Sequence, residues 1–264
     1  MTSIDYLDLD EAQETSRGHR YQMERLIEER DVWKQACNDK DKLIAIISHD
    51  IKGQLGGING LIEILELEGK NEDSSAFQTY LALLKQSSAN LFQLLENLLQ
   101  WSRMQTWTIQ PQNQEEYLFQ TLNNVFELNQ AAAQAKQIDY VLICPKEIKV
   151  FTDINLVSFI VRNLINNAIK YTSIGGSISI EAIAETEGDI HIKVTNSGQG
   201  ISPEVHAKLF DAQALISTAG TAKEKGTGLG LLLCLEFAQM LGTSLHIHSE
   251  EGHGTTCSFF VKAV

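Results

Sequence analysis

The chain has 264 residues, 43% of them apolar, and a formal net charge of −13. That length allows one large domain or two ordinary ones, with enough apolar content for packed cores and too much for a disordered chain. The acidic balance excludes non-specific nucleic-acid binding and requires any polyanionic ligand to be held by local amides, a few cations and a metal ion.

No apolar run reaches bilayer-spanning length, and no basic leader with an apolar stretch opens the chain. These residues are therefore expected to work in water, in the cytoplasm, without membrane contact. Cys37, Cys144, Cys234 and Cys257 share no CxxC spacing, which argues for buried reduced thiols over a zinc site or a disulfide framework. His246 and His248 alternate along an expected strand, so they share one face; a half-exposed strand edge suits them better than a metal pair.

In chain order, an acidic lead-in gives way to a 3-4 spacing through Met23, Leu26, Trp33, Cys37, Ile44, Ile47 and Ile51, weakened by Arg30 and Lys40. Such a heptad seam needs a partner helix, most simply the same helix of a second copy. The segment from Leu43 to Glu68 continues as an amphipathic helix. Gly69 to Ser74 has the polarity of a loop. A second helix is predicted from about Ser75 to Met104, with Leu81, Leu84, Leu91, Leu94, Leu95 and Leu98 on its apolar stripe. Two such antiparallel helices would close into a four-helix bundle in a dimer.

Beyond a boundary near Gln105 to Gln110 the pattern changes. Ile109 and Pro111 read as a short strand and its exit, and Glu115 to Lys136 as a helix. Strands are predicted at Ile138–Ile143, Ser177–Ile183, Ile190–Thr195, Leu245–Ser249 and Cys257–Val261, with helices at Asn155–Tyr171 and Gly230–Leu241. The expected fold class is α+β: a helical hairpin followed by an α/β sandwich, one sheet with helices over one face.

Three features carry chemistry. His49 lies between the seam residues Ile47 and Ile51, so it should project to solvent, and Asp50 follows it directly. A carboxylate that accepts one imidazole N–H orients the ring and leaves the other nitrogen as a nucleophile. Taken alone, the pair is equally a solvated surface pair. On the helix over Asn155–Tyr171, Asn163, Asn167 and Lys170 fall on one face. An amide oxygen at Asn167 suits Mg²⁺ and an ammonium at Lys170 suits a phosphate, although a polar outer face would look the same. Finally, Asn196-Ser197-Gly198-Gln199-Gly200-Ile201 ends a strand, and Gly226-Thr227-Gly228-Leu229-Gly230 enters a helix, where backbone amides and the dipole favour an anion. Neither segment fits a Rossmann fingerprint or a Walker loop.

The order of these features resembles the sensor histidine protein kinases of two-component systems, over about Leu43 to Val264. Ser48-His49-Asp50-Ile51-Lys52 resembles their phosphoacceptor box, and Leu98 to Arg103 the exit of their dimerisation domain. The asparagine helix, the two glycine segments and Phe210 resemble the N, G1, G2 and F boxes of the Bergerat-type (GHKL) ATP-binding fold, with Asp211 to Lys225 as lid. The resemblance implies a coiled-coil signalling helix over 1–42, a dimerisation and phosphotransfer domain over 43–107 and a catalytic domain over 108–264. It implies a homodimer that phosphorylates itself on His49 from ATP and Mg²⁺, then passes the phosphoryl group to an aspartate of a response-regulator receiver domain. ATP would be held by Asn163, Asn167, Lys170, Tyr171, Asn196, Gly198, Gly200, Ile201, Phe210, Gly226, Thr227, Gly228, Leu229 and Gly230, with Asn167 on the metal.

Two positions depart from the family pattern. Gly53 stands where many members carry a phosphatase Thr or Asn; Gln54 gives the spacing from Asp50 that another branch uses, and equally suits an exposed helix position. Asn196 stands in place of the Asp that reads adenine, keeping an acceptor oxygen but losing its charge. Gly53, Gly56 and Gly57 each weaken their helix by about 1 kcal/mol relative to Ala. The competing readings are a degenerate kinase that serves as a phosphotransfer or regulatory module for a receiver domain, and a coiled-coil adaptor, which leaves the glycine boxes unexplained.

Overall fold

A computed structural model describes residues 51–67, 75–105, 111–185, 188–207 and 229–264, together with Met23, Arg25, Arg30, Lys34, Ser48, Leu209, Gly220 and Thr221. The chain forms two compact units, residues 1–52 and 53–264. Every described residue of the first unit is helical, while most of the heptad seam, His49 and Asp50 lie outside the described residues. So do the stretch 68–74 and the boundary 106–110.

Helix α1 (residues 51–67) and helix α2 (Ser75–Gln105) each bury one face. On α1 the half-buried positions Ile51, Gln54, Ile58, Leu61 and Leu65 follow a 3-4 spacing. On α2 the equivalents are Leu81, Leu84, Leu91 and Leu98, with Leu94 fully buried. A second apolar set points outward: Leu55 and Ile62 on α1, and Phe92, Leu95 and Leu99 on α2. Leu95, predicted with the stripe, belongs to this outer set. No helix among the described residues is long and apolar enough to cross a membrane.

The α/β part runs β1 (Gln114–Tyr117), α3 (Leu118–Ala135), β2 (Asp139–Ile143), β3 (Lys149–Thr152), α4 (Ile154–Tyr171), β4 (Ser177–Ala184), β5 (Asp189–Asn196), α5 (Pro203–His206), α6 (Leu229–Met240), β6 (His246–Glu250) and β7 (Gly254–Lys262). Five strands form a sheet in the order β2-β4-β5-β7-β6, in which only β2 and β4 are parallel. Alternation places Ile178, Ile180, Ile190, Ile192, Val194, Phe259 and Val261 inward, where they are buried. Helix α4 packs on β5 and α6, and α3 packs on α4 and β2. Phe159 of α4 meets Phe237 of α6 edge-on, with ring centroids 4.7 Å apart, and Phe126 of α3 stacks on Tyr140 of β2 at 4.2 Å.

Three expectations are corrected. The strand expected at Ile109, with Pro111 as its exit, lies outside the described residues at Ile109; β1 spans Gln114–Tyr117, so Glu115, Glu116 and Tyr117 form a strand inside the stretch read as helix. Gln114, Glu115 and Glu116 favour helix by propensity, but they pair antiparallel with β3, where Lys149 lies over the Tyr117 ring at 5.0 Å. β1 and β3 form a second, two-stranded sheet, so the fold has more than the one expected. Of the described cysteines only Cys234 is buried; Cys144 and Cys257 are partly exposed. Burial nevertheless pushes the Cys144 thiol up to about 11 and that of Cys257 up to about 12. His246 and His248 are both exposed on β6, as their alternation implies.

Candidate active site

Helix α4 organises the site. Asp153 caps it, its carboxylate accepting from the amides of Asn155 (3.0 Å) and Leu156 (3.4 Å) and, from outside the helix, Gln112 (2.9 Å). Buried Leu156, Val157, Ile160, Leu164, Ile165, Ala168 and Ile169 set its rotation against the sheet and α6. The polar residues of the opposite stripe fall into two groups. Asn163 is buried: its amide nitrogen donates to the Phe159 carbonyl at 2.9 Å. Its oxygen lies against Gly230 in the first turn of α6, where a Cβ would come within 2.7 Å of it. Asn167 and Lys170 are half-exposed farther along. The Lys170 ammonium donates to the Tyr171 hydroxyl at 2.8 Å and lies over that half-buried ring at 4.5 Å.

The C-terminal end of α4 receives the first glycine segment. Gln199 N–H donates to the Tyr171 carbonyl at 3.3 Å. A Cβ on Gly198 would collide with that same carbonyl. Gly200 has φ +69°, and a Cβ there would strike the Glu250 carbonyl. Gly252 N–H donates to the Gln199 carbonyl at 2.8 Å, so the turn between β6 and β7 backs the segment. Ile201 follows it, half-buried.

Asn196 is buried at the end of β5. Its amide oxygen accepts from Gly198 N–H at 3.0 Å and its nitrogen donates to the Thr255 carbonyl at 3.2 Å. The reverse orientation would set the oxygen against the Thr255 carbonyl. An aspartate would do the same, so the asparagine satisfies a carbonyl that a carboxylate would repel. Thr172, whose hydroxyl donates to the Ala168 carbonyl at 2.7 Å, lies 3.2 Å from the same amide. Thr255 does not stand out in the sequence; the antiparallel pairing of β5 with β7 brings it opposite Asn196, while Thr172 stands at the C-cap of α4.

The two glycine segments thus meet α4 at separate places, one at Asn163 and the other at Tyr171. Eight helical residues separate these points, about 12 Å of axis at the usual rise. Asn167 and Lys170 lie between them. The N-terminus of α6, opened by Leu229 and Gly230, offers backbone amides and the positive end of a helix dipole at one end. The Asn196–Gly200 loop offers a rigid, glycine-lined wall at the other. An anion suits the α6 end of this layout, and a lone amide oxygen at Asn167 suits a hard cation that keeps most of its waters. Among the described residues no cluster of three or more His, Cys, Asp or Glu forms a metal site.

Of the remaining candidates, His49, Asp50, Phe210, Gly226, Thr227 and Gly228 lie outside the described residues. Gln54 is not the exposed helix residue that one reading expected; it is half-buried on α1, its amide oxygen shielded from solvent without a hydrogen-bond partner.

Residues 39–107 match the His Kinase A (phospho-acceptor) domain, and residues 152–264 match the Histidine kinase-, DNA gyrase B-, and HSP90-like ATPase family. The chain is 27% identical over 241 residues to the adaptive-response sensory kinase SasA of Crocosphaera subtropica, covering 89% of this chain and 62% of that protein. It is 30% identical over 230 residues to the histidine protein kinase DivJ of Caulobacter vibrioides, covering 82% of this chain and 36% of that one. The chain therefore spans less than two thirds of these relatives. Among solved structures, the Acinetobacter baumannii histidine kinase AdeS shares the fold with a TM-score of 0.61 at 15% identity, over 81% of this chain and 97% of that one. Histidine kinase ThkA in complex with response regulator protein TrrA has a TM-score of 0.60 at 19% identity, over 84% and 61% of the two chains. Full-length ShkA in complex with AMPPNP has a TM-score of 0.57 at 20% identity, over 83% and 46%.

Proposed function

The chain belongs to the sensor histidine kinases, and from that footing we propose that it phosphorylates itself on His49 from ATP and passes the phosphoryl group to an aspartate of a receiver domain. The observation that carries the reading is the layout along α4, where the α6 N-terminus meets Asn163 and the Asn196–Gly200 loop meets Tyr171, with Asn167 and Lys170 between them.

In this reading Asn196, Gly198, Gly200 and Ile201 form the adenine end. Lys170 and the amides from Gly226 to Gly230 hold the phosphates, with Asn163 fixing α6 against α4. Tyr171 steadies the Lys170 ammonium. Phe210 contributes an aromatic wall, and Thr227 and Leu229 complete the second glycine segment. Mg²⁺, held through the Asn167 amide oxygen, would supply charge neutralisation at the phosphate oxygens. His49 attacks with one ring nitrogen: an N–P bond forms to the γ-phosphorus, the bond from that phosphorus to the bridging oxygen breaks, and ADP leaves. Asp50 accepts the hydrogen bond of the other ring nitrogen and orients the imidazole. In the second step the N–P bond breaks and an aspartyl phosphate forms on the receiver; ThkA, solved with a response regulator, supports that partner class.

We divide the chain into a signalling helix over 1–42, a dimerisation and phosphotransfer domain over 43–107 and a catalytic domain over 108–264. Leu55, Ile62, Phe92, Leu95 and Leu99 form the outward apolar set that a second copy would cover in a four-helix bundle. A cytoplasmic location suits this chemistry. The degenerate-kinase alternative draws on Asn196 alone, and the bonds of that side chain to Gly198 and Thr255 supply a reason for the asparagine other than decay.

Calorimetric titration with a non-hydrolysable ATP analogue at millimolar Mg²⁺ tests the site. One molecule bound per chain, with binding lost in Asn167→Ala, is expected. Absence of both heat and thermal shift in the unaltered chain would contradict the reading.

A further inference from the structure

An α-helix leaves its last carbonyls without intrahelical donors, and something else must satisfy them. At the end of α4 that something comes from three distant places. The Ile169 carbonyl accepts from the Lys136 ammonium at 2.8 Å. The Lys170 carbonyl accepts from Thr221 N–H at 3.0 Å, and lies 3.3 Å from the Lys136 ammonium. The Tyr171 carbonyl accepts from Gln199 N–H, at the first glycine segment. The Thr221 hydroxyl lies 2.9 Å from the Thr172 carbonyl and 3.1 Å from that of Lys170, and accepts from the Lys136 ammonium at 3.0 Å.

Lys136 and Thr221 are therefore wired to each other and to the same turn of helix. Among the described residues the ammonium donates to the Ile169 and Lys170 carbonyls and to the Thr221 hydroxyl, and its charge sits at the negative end of the α4 dipole. The hydroxyl of Thr221 both accepts and donates, so it closes the network. Lys136 is also the C-cap of α3, and its own carbonyl accepts from Gly175 N–H at 3.1 Å, which fixes its backbone on the turn that follows α4. Nothing in the local sequence announces this contact: 85 residues separate Lys136 from Thr221.

We propose that Lys136 and Thr221 are positioning residues for nucleotide binding. They act through α4: the turn they cap carries the Lys170 ammonium, the Tyr171 ring and the carbonyl against which Gly198 docks. Loss of either member loosens the turn from which the phosphate-binding cation and the adenine loop are both hung. The inference rests on the nucleotide site proposed above and assigns neither residue a contact with the nucleotide.

The test uses the full chain and the non-hydrolysable ATP analogue with Mg²⁺, measured by calorimetry, with melting of the nucleotide-free chain recorded in parallel. Thr221→Val keeps the shape and removes the hydroxyl; it should weaken binding about tenfold, the size expected for lost hydrogen bonds that involve a charged partner. Thr221→Ser should return the affinity to within about twofold of the unaltered chain, because the hydroxyl is kept. Lys136→Met should weaken binding to a similar degree and serves as the second probe if Thr221→Val does not fold. The double variant should bind no more weakly than about the weaker single one, as expected of one shared network. In labelling assays the KM for ATP should rise while kcat stays within about twofold. Wild-type affinity in Thr221→Val or Lys136→Met would overturn the proposal, as would a Thr221→Ser variant as weak as Thr221→Val. If the unaltered chain binds no nucleotide, the proposed function itself fails and this inference with it. Binding by the unaltered chain with undiminished binding by the variants removes only the inference.

Discussion

Asn163 and Gly230 meet where α4 crosses α6, and the Asn163 amide leaves room for a glycine and nothing larger: a Cβ would approach its oxygen to 2.7 Å. The amide cannot swing aside freely, because its nitrogen is bonded to the Phe159 carbonyl and the side chain is buried. Gly230→Ala is expected to cost about 1–3 kcal/mol by overpacking and to push the start of α6 away from α4. Thermal melts and analogue titration together check this. A variant that melts and binds as the parent does would show that the crossing tolerates a methyl group.

Gln137 is the one described non-glycine residue at positive φ, at +54°. It follows the C-cap of α3, where Ile138 N–H bonds back to the Ala133 carbonyl at 3.0 Å and Gln137 N–H to Gln134 at 2.9 Å. This six-to-one and five-to-two pairing is the helix ending that glycine favours. Gln137→Gly should relieve about 1 kcal/mol of backbone strain and raise the melting temperature by about 2–4 °C. An unchanged or lower melting temperature would contradict the strain argument.

The outer sheet face carries a pH-sensitive group. His191 stacks on Phe260 with centroids 4.2 Å apart, and its Nε2 is shielded from solvent without a hydrogen-bond partner. Burial holds its pKa below the ordinary 6.5, helped by the Lys193 and His246 charges and opposed by Glu185. A lowered pKa means that the unfolded chain binds this proton more readily than the folded one. The stability contribution is therefore complete above pH 6.5 and falls away as pH drops through 6.5 toward the folded value. His191→Gln should lose less stability than the parent between pH 7.5 and pH 5, the window about the ordinary histidine value, in urea unfolding. Identical pH profiles would refute the assignment.

Much of this was legible because the signals are local and periodic. The strand alternation from Ser177 onward and the apolar rotation of α4 locate the sheet and the asparagine helix within a few residues of where they lie. What escaped depends on partners distant in sequence. Glu115 to Tyr117 of β1 read as helix because Glu propensity outweighs an invisible pairing with β3. The four-residue helix α5 is too short for periodicity and is marked only by Ser202 before Pro203. The spacing of Asn163, Asn167 and Lys170 correctly puts them on one stripe, but not that Asn163 is buried beneath α6 while the other two emerge. Asn196 reads as a weakened copy of an aspartate until Thr255 is found opposite it. The clamp formed by Lys136 and Thr221 has no sequence signature at all.

Arrival of phosphate from ATP on His49 is the step on which the proposed function turns. Incubation of the full chain with γ-labelled ATP and Mg²⁺, followed by acid and base treatment, tests it most directly. Label that is labile to acid, stable to base and absent from His49→Gln is expected. Label of that stability surviving in His49→Gln would contradict it.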